Sequence, residues 1–173
     1  QVLVQIQQAR RILELGTGIG YSSILLAESL PEQGRITTIE INPERYERAC
    51  VNFQRFQVAD KITPLLGDAN ELLSSLEGPF DFIFVDAAKG QYPEFFEKLW
   101  PLLAPRGVLV MDNVFMNGWV IDLYWPERRK KTMVCRLRQM LETLKNHPGL
   151  ITSVIPMGDG LTVSVRREDC AEG

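Results

Sequence analysis

Two acidic residues and a lysine follow apolar segments of this 173-residue chain at positions where they could act together. Asp86 ends the segment FDFIFVDA with Lys89 three residues later, and Asp112 and Asn113 end the segment GVLVMDN. If the two segments are neighbouring strands of an open α/β sheet, their ends line one crevice. Two carboxylates and an amide oxygen there would suit Mg²⁺ or another hard divalent cation. Alternatively, each acid caps the loop that follows it.

A second group of residues surrounds a glycine-rich turn in the segment ILELGTGIGYSS. Gly16, Gly18 and Gly20 alternate with other residues directly after an apolar run. Glycine has no Cβ atom, so a cofactor could lie against the bare backbone of this turn. A helix beginning near Tyr21 would direct free N–H groups into the same space. Tyr21 occupies the last position of the G-x-G-x-x-G dinucleotide pattern, which disfavours a nicotinamide-dependent oxidoreductase.

Acidic residues at the ends of the next two apolar segments extend this predicted cofactor site. Glu40 follows the glycine turn at the spacing, about 20 residues, at which a carboxylate accepts the hydroxyls of a ribose. Asp68 and Ala69 follow a third segment and would border an adenine ring. Alternatively, Glu40 is a surface carboxylate near a helix start, and Asp68 is only the N-cap of a helix.

The elements that position these residues alternate between strands and helices, which predicts a largely parallel α/β sheet. The predicted strands are residues 11–15, 35–41, 62–66, 80–87, 107–112, 150–157 and 161–167. Helices are predicted to begin at Pro43, after Asp68 and near Pro93, and the last to run from near Pro126 to before His147. A Gly-Asp-Gly turn at 158–160 predicts a hairpin and therefore one antiparallel strand. We expect a single domain over residues 1–173.

The glycine turn resembles that of the class I methyltransferases that use S-adenosylmethionine, which have the same E-x-G-x-G-x-G spacing. The resemblance implies a Rossmann-like α/β fold whose seven-stranded, mostly parallel sheet has the order 3-2-1-4-5-7-6 with an antiparallel last strand. It also implies the residues that hold the cofactor. Those for the methionine end are Glu14, the Gly16–Thr17 backbone and Ser22, and the residue for the ribose is Glu40.

The later motifs resemble those of the cation-dependent O-methyltransferases, the group that contains catechol and caffeoyl-CoA O-methyltransferases. They are the stretches FIFVDAAKGQY, DNVFMNG and GDGL, and the resemblance extends from Ile12 to Val165. It implies methyl transfer to a hydroxyl of a catechol-like molecule, with a metal that lowers the pKa of that hydroxyl. The residues implied for the metal are Asp86, Asp112 and Asn113. Lys89 is implied as the general base, with Asp86 beside it in the catalytic site. Asp86 is also implied at the cofactor, and Asn117 at the substrate. Lys89 could instead be a solvated loop lysine.

Two features depart from the family pattern. Ala88 stands where members often carry an acid that contacts the cofactor. The first predicted strand begins at residue 11, whereas relatives have helices before it that cover the site. Either the chain lacks a leader segment or its site is unusually open. These features leave a non-catalytic S-adenosylmethionine-binding protein as an alternative.

Composition restricts the partners and the compartment. A formal net charge of −3 argues against a dedicated nucleic-acid binder and disfavours an RNA methyltransferase. Residues 1–11 do not have the pattern of a signal peptide, no apolar run reaches membrane-spanning length, and the three separated cysteines form no zinc or disulfide pattern. We therefore expect a cytoplasmic enzyme with a small-molecule substrate, and a homodimer because relatives commonly are. Trp119 and Trp125 would form either an aromatic wall for a flat substrate or a dimer contact.

Overall fold

The structure is a computed structural model that describes residues 1–121 and 130–168. These residues fold around one central sheet. Its strands follow the order β3-β2-β1-β4-β5-β7-β6. All neighbouring pairs are parallel except those that involve β7. The predicted fold class, strand order and antiparallel last strand are therefore confirmed. The strands are β1 (Arg11–Leu15), β2 (Arg35–Glu40), β3 (Ile62–Leu66), β4 (Phe80–Val85), β5 (Leu103–Asp112), β6 (Leu150–Ile155) and β7 (Leu161–Arg166).

Helices cover both faces of the sheet. They are α1 (Val2–Gln7), α2 (Tyr21–Ser29), α3 (Pro43–Arg55), α4 (Ala69–Leu72), α5 (Tyr92–Leu99) and α6 (Lys131–Asn146). Asn42 caps α3, because its side-chain oxygen accepts a hydrogen bond from Arg45 N at 3.0 Å and Pro43 occupies the first turn. The predicted start of the last helix near Pro126 lies outside the described residues.

Alternation along each strand separates two hydrophobic clusters. Leu13 faces a cluster that includes Phe95 of α5 and Leu137 of α6. Its neighbour Ile12 faces the other cluster, which includes Phe53 of α3. Successive side chains of a strand point to opposite faces, so a strand covered on both sides is mostly apolar, and buried polar side chains such as Glu14 and Thr38 bond to each other. This double burial fixes the register of the parallel strands and brings their carboxyl ends to one edge.

Some strand boundaries differ from the sequence prediction. Strand β5 begins at Leu103, four residues earlier than predicted, because Leu103 pairs with Phe80 across a register shift in the β4–β5 ladder. Strand β4 ends at Val85, so Asp86 lies just beyond the ladder. Strand β2 ends at Glu40. The acidic residues of interest therefore stand at strand ends, where their side chains are free to face a crevice.

None of the helices in the described ranges is both long enough and apolar enough to cross a membrane.

Candidate active site

The glycine turn between β1 and α2 is shaped by close contacts within the protein. Gly16, Gly18 and Gly20 all have positive φ angles, of 96°, 57° and 89°. A Cβ atom on Gly16 would lie 2.0 Å from the carbonyl oxygen of Asp86, and one on Gly20 would lie 2.5 Å from the ring of Phe53. A Cβ atom on Gly18 would meet nothing within 4 Å. Packing therefore requires glycine at 16 and 20, whereas Gly18 leaves open space above the backbone.

A cavity of about 530 Å³ occupies that space, at the carboxyl ends of the strands. Its walls include six residues that the sequence predicted for a cofactor site: Gly16, Gly18, Glu40, Asp68, Ala69 and Asp86. Arg45, Ala88 and Gln91 also line it, and sequence reasoning gave none of them a positive role in binding. Ala88 contributes only a methyl side chain to this wall. An open, strand-end crevice of this size suits a nucleotide-like ligand.

Glu40 ties the glycine turn to the end of β2. Its Oε2 accepts a hydrogen bond from Gly18 N at 2.7 Å, and its Oε1 accepts one from Asn42 N at 2.9 Å. The main chains of Gly16 and Thr17 also donate to Ile39 O, at 2.9 and 3.2 Å. Each carboxylate oxygen can accept more than one hydrogen bond, so Glu40 retains capacity for a ligand hydroxyl.

Glu14 lies beneath the turn and is fully buried. Its Oε2 accepts hydrogen bonds from the hydroxyls of Ser23 and Thr38, and its Oε1 has no hydrogen-bond partner. Burial raises the pKa of Glu14, and the nearby hydroxyls of Ser22, Ser23 and Thr38 oppose that shift. A buried carboxylate oxygen with no partner costs free energy, which a cationic or hydrogen-bond-donating ligand group would recover.

Ser23 donates the hydrogen bond to Glu14 Oε2, and its neighbour Ser22, which was predicted for the methionine end of the cofactor, also lies beside Glu14. Ser23 is fully buried, and Ser22 is half-buried at the start of α2. Thr17, also predicted, is buried, and its hydroxyl lies 2.6 Å from that of Thr38. Helical spacing could have favoured Ser23, because it falls on the side of α2 that carries the buried Ala27.

Asp68 performs its capping role and lines the cavity as well. Its Oδ1 accepts a hydrogen bond from Asn70 N at 2.7 Å at the start of α4. The preceding Gly67 brings the chain back to β2, because Gly67 N donates to Glu40 O at 2.9 Å. The cap and the cavity wall are therefore the same residue, and the two interpretations of Asp68 are compatible.

The ends of β4 and β5 bring the second predicted group together. Val85 and Met111 are partners in the parallel ladder, so Asp86 and Asp112 follow at equivalent positions on neighbouring strands. Adjacent strands lie about 4.8 Å apart, which places both residues at the same crevice. Asp112 Oδ1 accepts a hydrogen bond from Asn113 N at 2.7 Å, and Asn113 adopts a left-handed backbone conformation with φ of 55°.

Lys89 and Tyr92 link these two strand ends. Lys89 Nζ donates to Asp86 Oδ1 at 2.6 Å and to Tyr92 Oη at 2.9 Å. The side chain of Lys89 is 19% exposed and that of Asp86 is 46% exposed. The Tyr92 hydroxyl in turn lies 2.9 Å from Asp112 O and 3.2 Å from Val85 O, and either oxygen can accept a hydrogen bond from it. Lys89 is therefore held at the site and is not a solvated loop lysine.

Tyr92 is the main participant that sequence reasoning missed, although its position in the KGQY stretch was noted. It is fully buried. Burial raises the pKa of its phenol, and the negative charges of Asp86 and Asp112 raise it further, so the hydroxyl stays protonated and can donate. Its position three residues after Lys89, at the start of a helix, was the available signal.

The predicted metal ligands have side chains of the right chemical type, but only two of them are acids. Within residues 1–121 and 130–168, no three His, Cys, Asp or Glu side chains form a group that could hold a metal ion. The predicted set is two carboxylates, Asp86 and Asp112, with the amide of Asn113. These hard oxygen donors at adjacent strand ends fit a cation such as Mg²⁺, which binds proteins through one or two carboxylates and keeps several waters.

Helix α6 supports both loops that carry these residues. Arg136 donates to Gly90 O at 2.7 Å and to Glu94 Oε1 at 2.6 Å. Arg138 donates to the carbonyl oxygens of Trp119 and Val120 at 3.1 and 3.0 Å. The Trp119 ring packs against the core with Lys130 Nζ 3.9 Å from its centroid, whereas Trp125 lies outside the described residues.

A family model described as O-methyltransferase matches residues 1–167. The chain therefore belongs to the O-methyltransferase family. Among relatives, it is 40% identical to a catechol O-methyltransferase of Niastella koreensis over 70% of this chain and 57% of that protein. It is 38% identical to a catechol O-methyltransferase of Mycobacterium tuberculosis over 86% of this chain and 66% of that protein. The chain thus spans less than two thirds of the length of these two relatives.

Solved structures of the O-methyltransferase family share the fold. An O-methyltransferase from Bacillus cereus in complex with SAH superposes with a TM-score of 0.87 at 34% identity, covering 96% of this chain and 78% of that one. The O-methyltransferase TomG from Streptomyces achromogenes in complex with SAM also gives a TM-score of 0.87, at 35% identity, covering 96% and 77%. The resemblance noted in the sequence is confirmed at the level of family and fold.

Proposed function

We propose that this protein is an S-adenosylmethionine-dependent O-methyltransferase that requires a divalent cation, with Mg²⁺ the first choice. Its substrate would be a catechol-like small molecule with neighbouring hydroxyls. The observation that carries the proposal is the single cavity that runs from Gly18 and Glu40 to Asp86. Family membership and relatives named as catechol O-methyltransferases support the reaction class.

The cofactor end of the cavity suits S-adenosylmethionine in its chemistry. Glu40 would accept hydrogen bonds from the ribose, and Asp68 and Ala69 would border the adenine. Gly18 lets the ligand approach the main chain because no Cβ atom intervenes. The unpartnered Oε1 of Glu14 is a buried anionic acceptor close beneath the same turn, which favours a ligand with a positively charged methionine end. These contacts would hold the cofactor against the glycine turn.

Beyond Asp86, which lines the cavity, the ends of β4 and β5 suit a cation and an acceptor hydroxyl. Asp86, Asp112 and Asn113 would hold the metal, and Asn117 would contact the substrate. When bound, the cofactor supplies an activated methyl group and the cation supplies charge that makes a hydroxyl more acidic. Lys89 Nζ, which is hydrogen-bonded to Asp86 and Tyr92, would be the general base and would accept the proton of that hydroxyl as a neutral amine. Fixing these groups on two rigid strand ends supplies the orientation that the transfer requires.

We also propose that the protein works as a cytoplasmic homodimer. The described cysteines, Cys50 and Cys135, are both free thiols, as expected in a reducing compartment. Ile151 and Ile155 on the edge strand β6 are exposed apolar side chains that a second subunit could cover. Light scattering of the purified protein over a range of concentrations tests the dimer, and a monomeric mass throughout would contradict it.

The direct test of the activity combines binding and turnover. Calorimetric titration should show S-adenosylmethionine binding, and the protein should then methylate catechol in the presence of Mg²⁺. Treatment with EDTA should abolish transfer, and added Mg²⁺ should restore it. Activity that is indifferent to chelation would remove the metal from the proposal. Cofactor binding without turnover on a panel of catechols would favour the non-catalytic alternative.

A further inference from the structure

The turn between β6 and β7 is bonded to the loop that follows β5. Val114 N donates to Gly160 O at 3.0 Å, and Phe115 N donates to Asp159 O at 2.8 Å. Asn117 N donates to the side-chain Oδ1 of Asp159 at 2.6 Å. Three main-chain N–H groups of one loop therefore end on two residues of a turn more than forty positions away. Asp159 supplies two of the three acceptors.

This loop has a backbone conformation that needs such support. Asn113, Met116 and Asn117 have φ angles of 55°, 51° and 57°, in the left-handed region that non-glycine residues rarely adopt. Conformations of this kind persist only where surrounding contacts hold them. The bonds to the turn begin at Val114, the residue directly after Asn113. The anchor is therefore adjacent to the predicted metal ligands.

The turn is shaped for this contact. Pro156, Met157 and Gly158 are exposed, whereas Asp159 is half-buried and Gly160 is buried. Gly160 has a φ of 82°, and a Cβ atom there would lie 2.5 Å from the ring of Phe115. Only glycine at 160 lets the loop come close enough for Asp159 to bond Asn117. The two residues form one unit in which Gly160 permits the approach and accepts one hydrogen bond, and Asp159 accepts the other two.

We propose that Asp159 is a positioning residue for the cation site, acting through the loop 113–117. Asp112 pairs in the ladder with Leu161, two residues after Asp159, so the turn and the ligands share one rigid pair of strands. Asp112 Oδ1 accepts a hydrogen bond from Asn113 N, so these two of the three predicted metal ligands are linked to the anchored segment. Loss of the Asp159 side chain frees Asn117 N and loosens the loop that aims Asn113. The inference rests on the proposed function, because it assigns a supporting residue to the same metal site.

The test measures cation binding directly, with Mn²⁺ as the probe and the free ion followed by electron paramagnetic resonance. The variants are Asp159→Ala, which removes the side-chain acceptor, and Asp159→Asn, which keeps an oxygen in the same place. We expect Asp159→Ala to weaken Mn²⁺ binding about tenfold or more, the usual effect of losing a partner that orients metal ligands. Asp159→Asn should stay within a few-fold of the wild type. Affinity for S-adenosylmethionine should not change in either variant, because Glu40 ends β2 and Gly18 lies in the turn after β1, away from β5 and β7.

Asp60→Ala serves as the matched control, because Asp60 is an exposed aspartate in the short turn before β3, at the opposite edge of the sheet. It should bind Mn²⁺ as the wild type does. Amide hydrogen exchange of the segment 113–121 should become faster in Asp159→Ala alone. Should that variant fail to fold, Asp159→Glu, which displaces the carboxylate by one methylene, takes its place with the same expected direction.

The outcomes separate this inference from the proposed function. Wild-type binding of Mn²⁺ that is unchanged in Asp159→Ala overturns the inference and leaves the proposed function intact. A wild-type protein that binds no Mn²⁺ overturns the metal part of the proposed function and the inference with it. Equal loss of Mn²⁺ and S-adenosylmethionine binding in Asp159→Ala indicates general damage to the fold and also contradicts a specific positioning role.

Discussion

The Nζ atom of Lys89 lies 2.9 Å from the phenolic oxygen of Tyr92, and the Tyr92 hydroxyl lies 2.9 Å from the main-chain oxygen of Asp112. Tyr92 thus joins the proposed general base to the end of the neighbouring strand. Because burial raises the pKa of its phenol, Tyr92 stays neutral, so it can accept from Lys89 while donating to a carbonyl. This arrangement fixes the direction of the Lys89 side chain at the crevice.

Replacing Tyr92 with Phe removes only the oxygen that makes these bonds. We expect kcat to fall about ten- to a hundredfold, because Lys89 loses one of its two fixed partners. Unfolding free energy should fall by about 1–3 kcal/mol, because the carbonyl oxygen of Asp112 loses its donor. Initial rates measure kcat, and thermal unfolding measures the change in stability. Tyr46→Phe on α3 is the control, and unchanged kcat in Tyr92→Phe would show that Lys89 needs no such partner.

Replacing Glu40 with Ala should weaken S-adenosylmethionine binding by at least about tenfold, equivalent to about 1.4 kcal/mol. The carboxylate both faces the cavity and holds Gly18 N and Asn42 N, so the glycine turn also loses support. Calorimetric titration of the folded variant gives the affinity. Glu44→Gln, an exposed acid on the first turn of α3, should bind the cofactor normally. If Glu40→Ala bound S-adenosylmethionine with the affinity of the wild type, Glu40 would not be the residue that binds the ribose.

Glu14 predicts a pH dependence of stability in the ligand-free protein. Burial raises the pKa of Glu14 above its ordinary value of 4.5, so the folded state binds its proton more tightly than the unfolded state does. The stabilisation from this residue is therefore complete below about pH 4.5 and is lost as the pH rises through the raised folded-state pKa. The Glu14→Gln variant has no such titration. Its melting temperature, relative to that of the wild type, should rise between pH 5 and pH 8.

The same Glu14→Gln variant should respond less to the cofactor. S-adenosylmethionine should raise the melting temperature of the wild type more than that of the variant, because the cationic end of the ligand compensates a buried charge only where that charge exists. Thermal unfolding with and without ligand at pH 8 gives both values. Equal ligand-induced shifts would separate Glu14 from the cofactor. Glu28→Gln, an exposed acid near the end of α2, is the control.

Arg136 should affect catalysis more than stability. It bonds Gly90 O, directly after Lys89, while its ion pair with Glu94 is about half exposed and contributes only about 0–1 kcal/mol. In Arg136→Gln, kcat should fall several-fold with a nearly unchanged melting temperature. Arg48→Gln on the exposed part of α3 should change neither. A melting temperature that falls in proportion to activity would point to a structural role alone.

The strand ends could be located from the sequence because the signal for them is local. Apolar runs that stop at Glu40, Asp86 and Asp112 show where buried strands emerge, and the glycine spacing shows where backbone must bend. Strand order and the antiparallel last strand followed from resemblance together with the hairpin signal. Boundaries such as the start of β5 were missed, because Leu103 joins the ladder through a partner, Phe80, that is distant in sequence.

The sequence by itself determined which residues reach the open edge of the sheet, since alternation and turn chemistry depend on near neighbours along the chain. Only the tertiary structure decided what holds them there: Ser23 beneath Glu14, Tyr92 between Lys89 and Asp112, and Asp159 on Asn117. Each of these contacts joins different elements of the fold. They depend on how strands and helices pack to within hydrogen-bonding distance. That packing is a property of the whole fold and not of any one segment of the sequence.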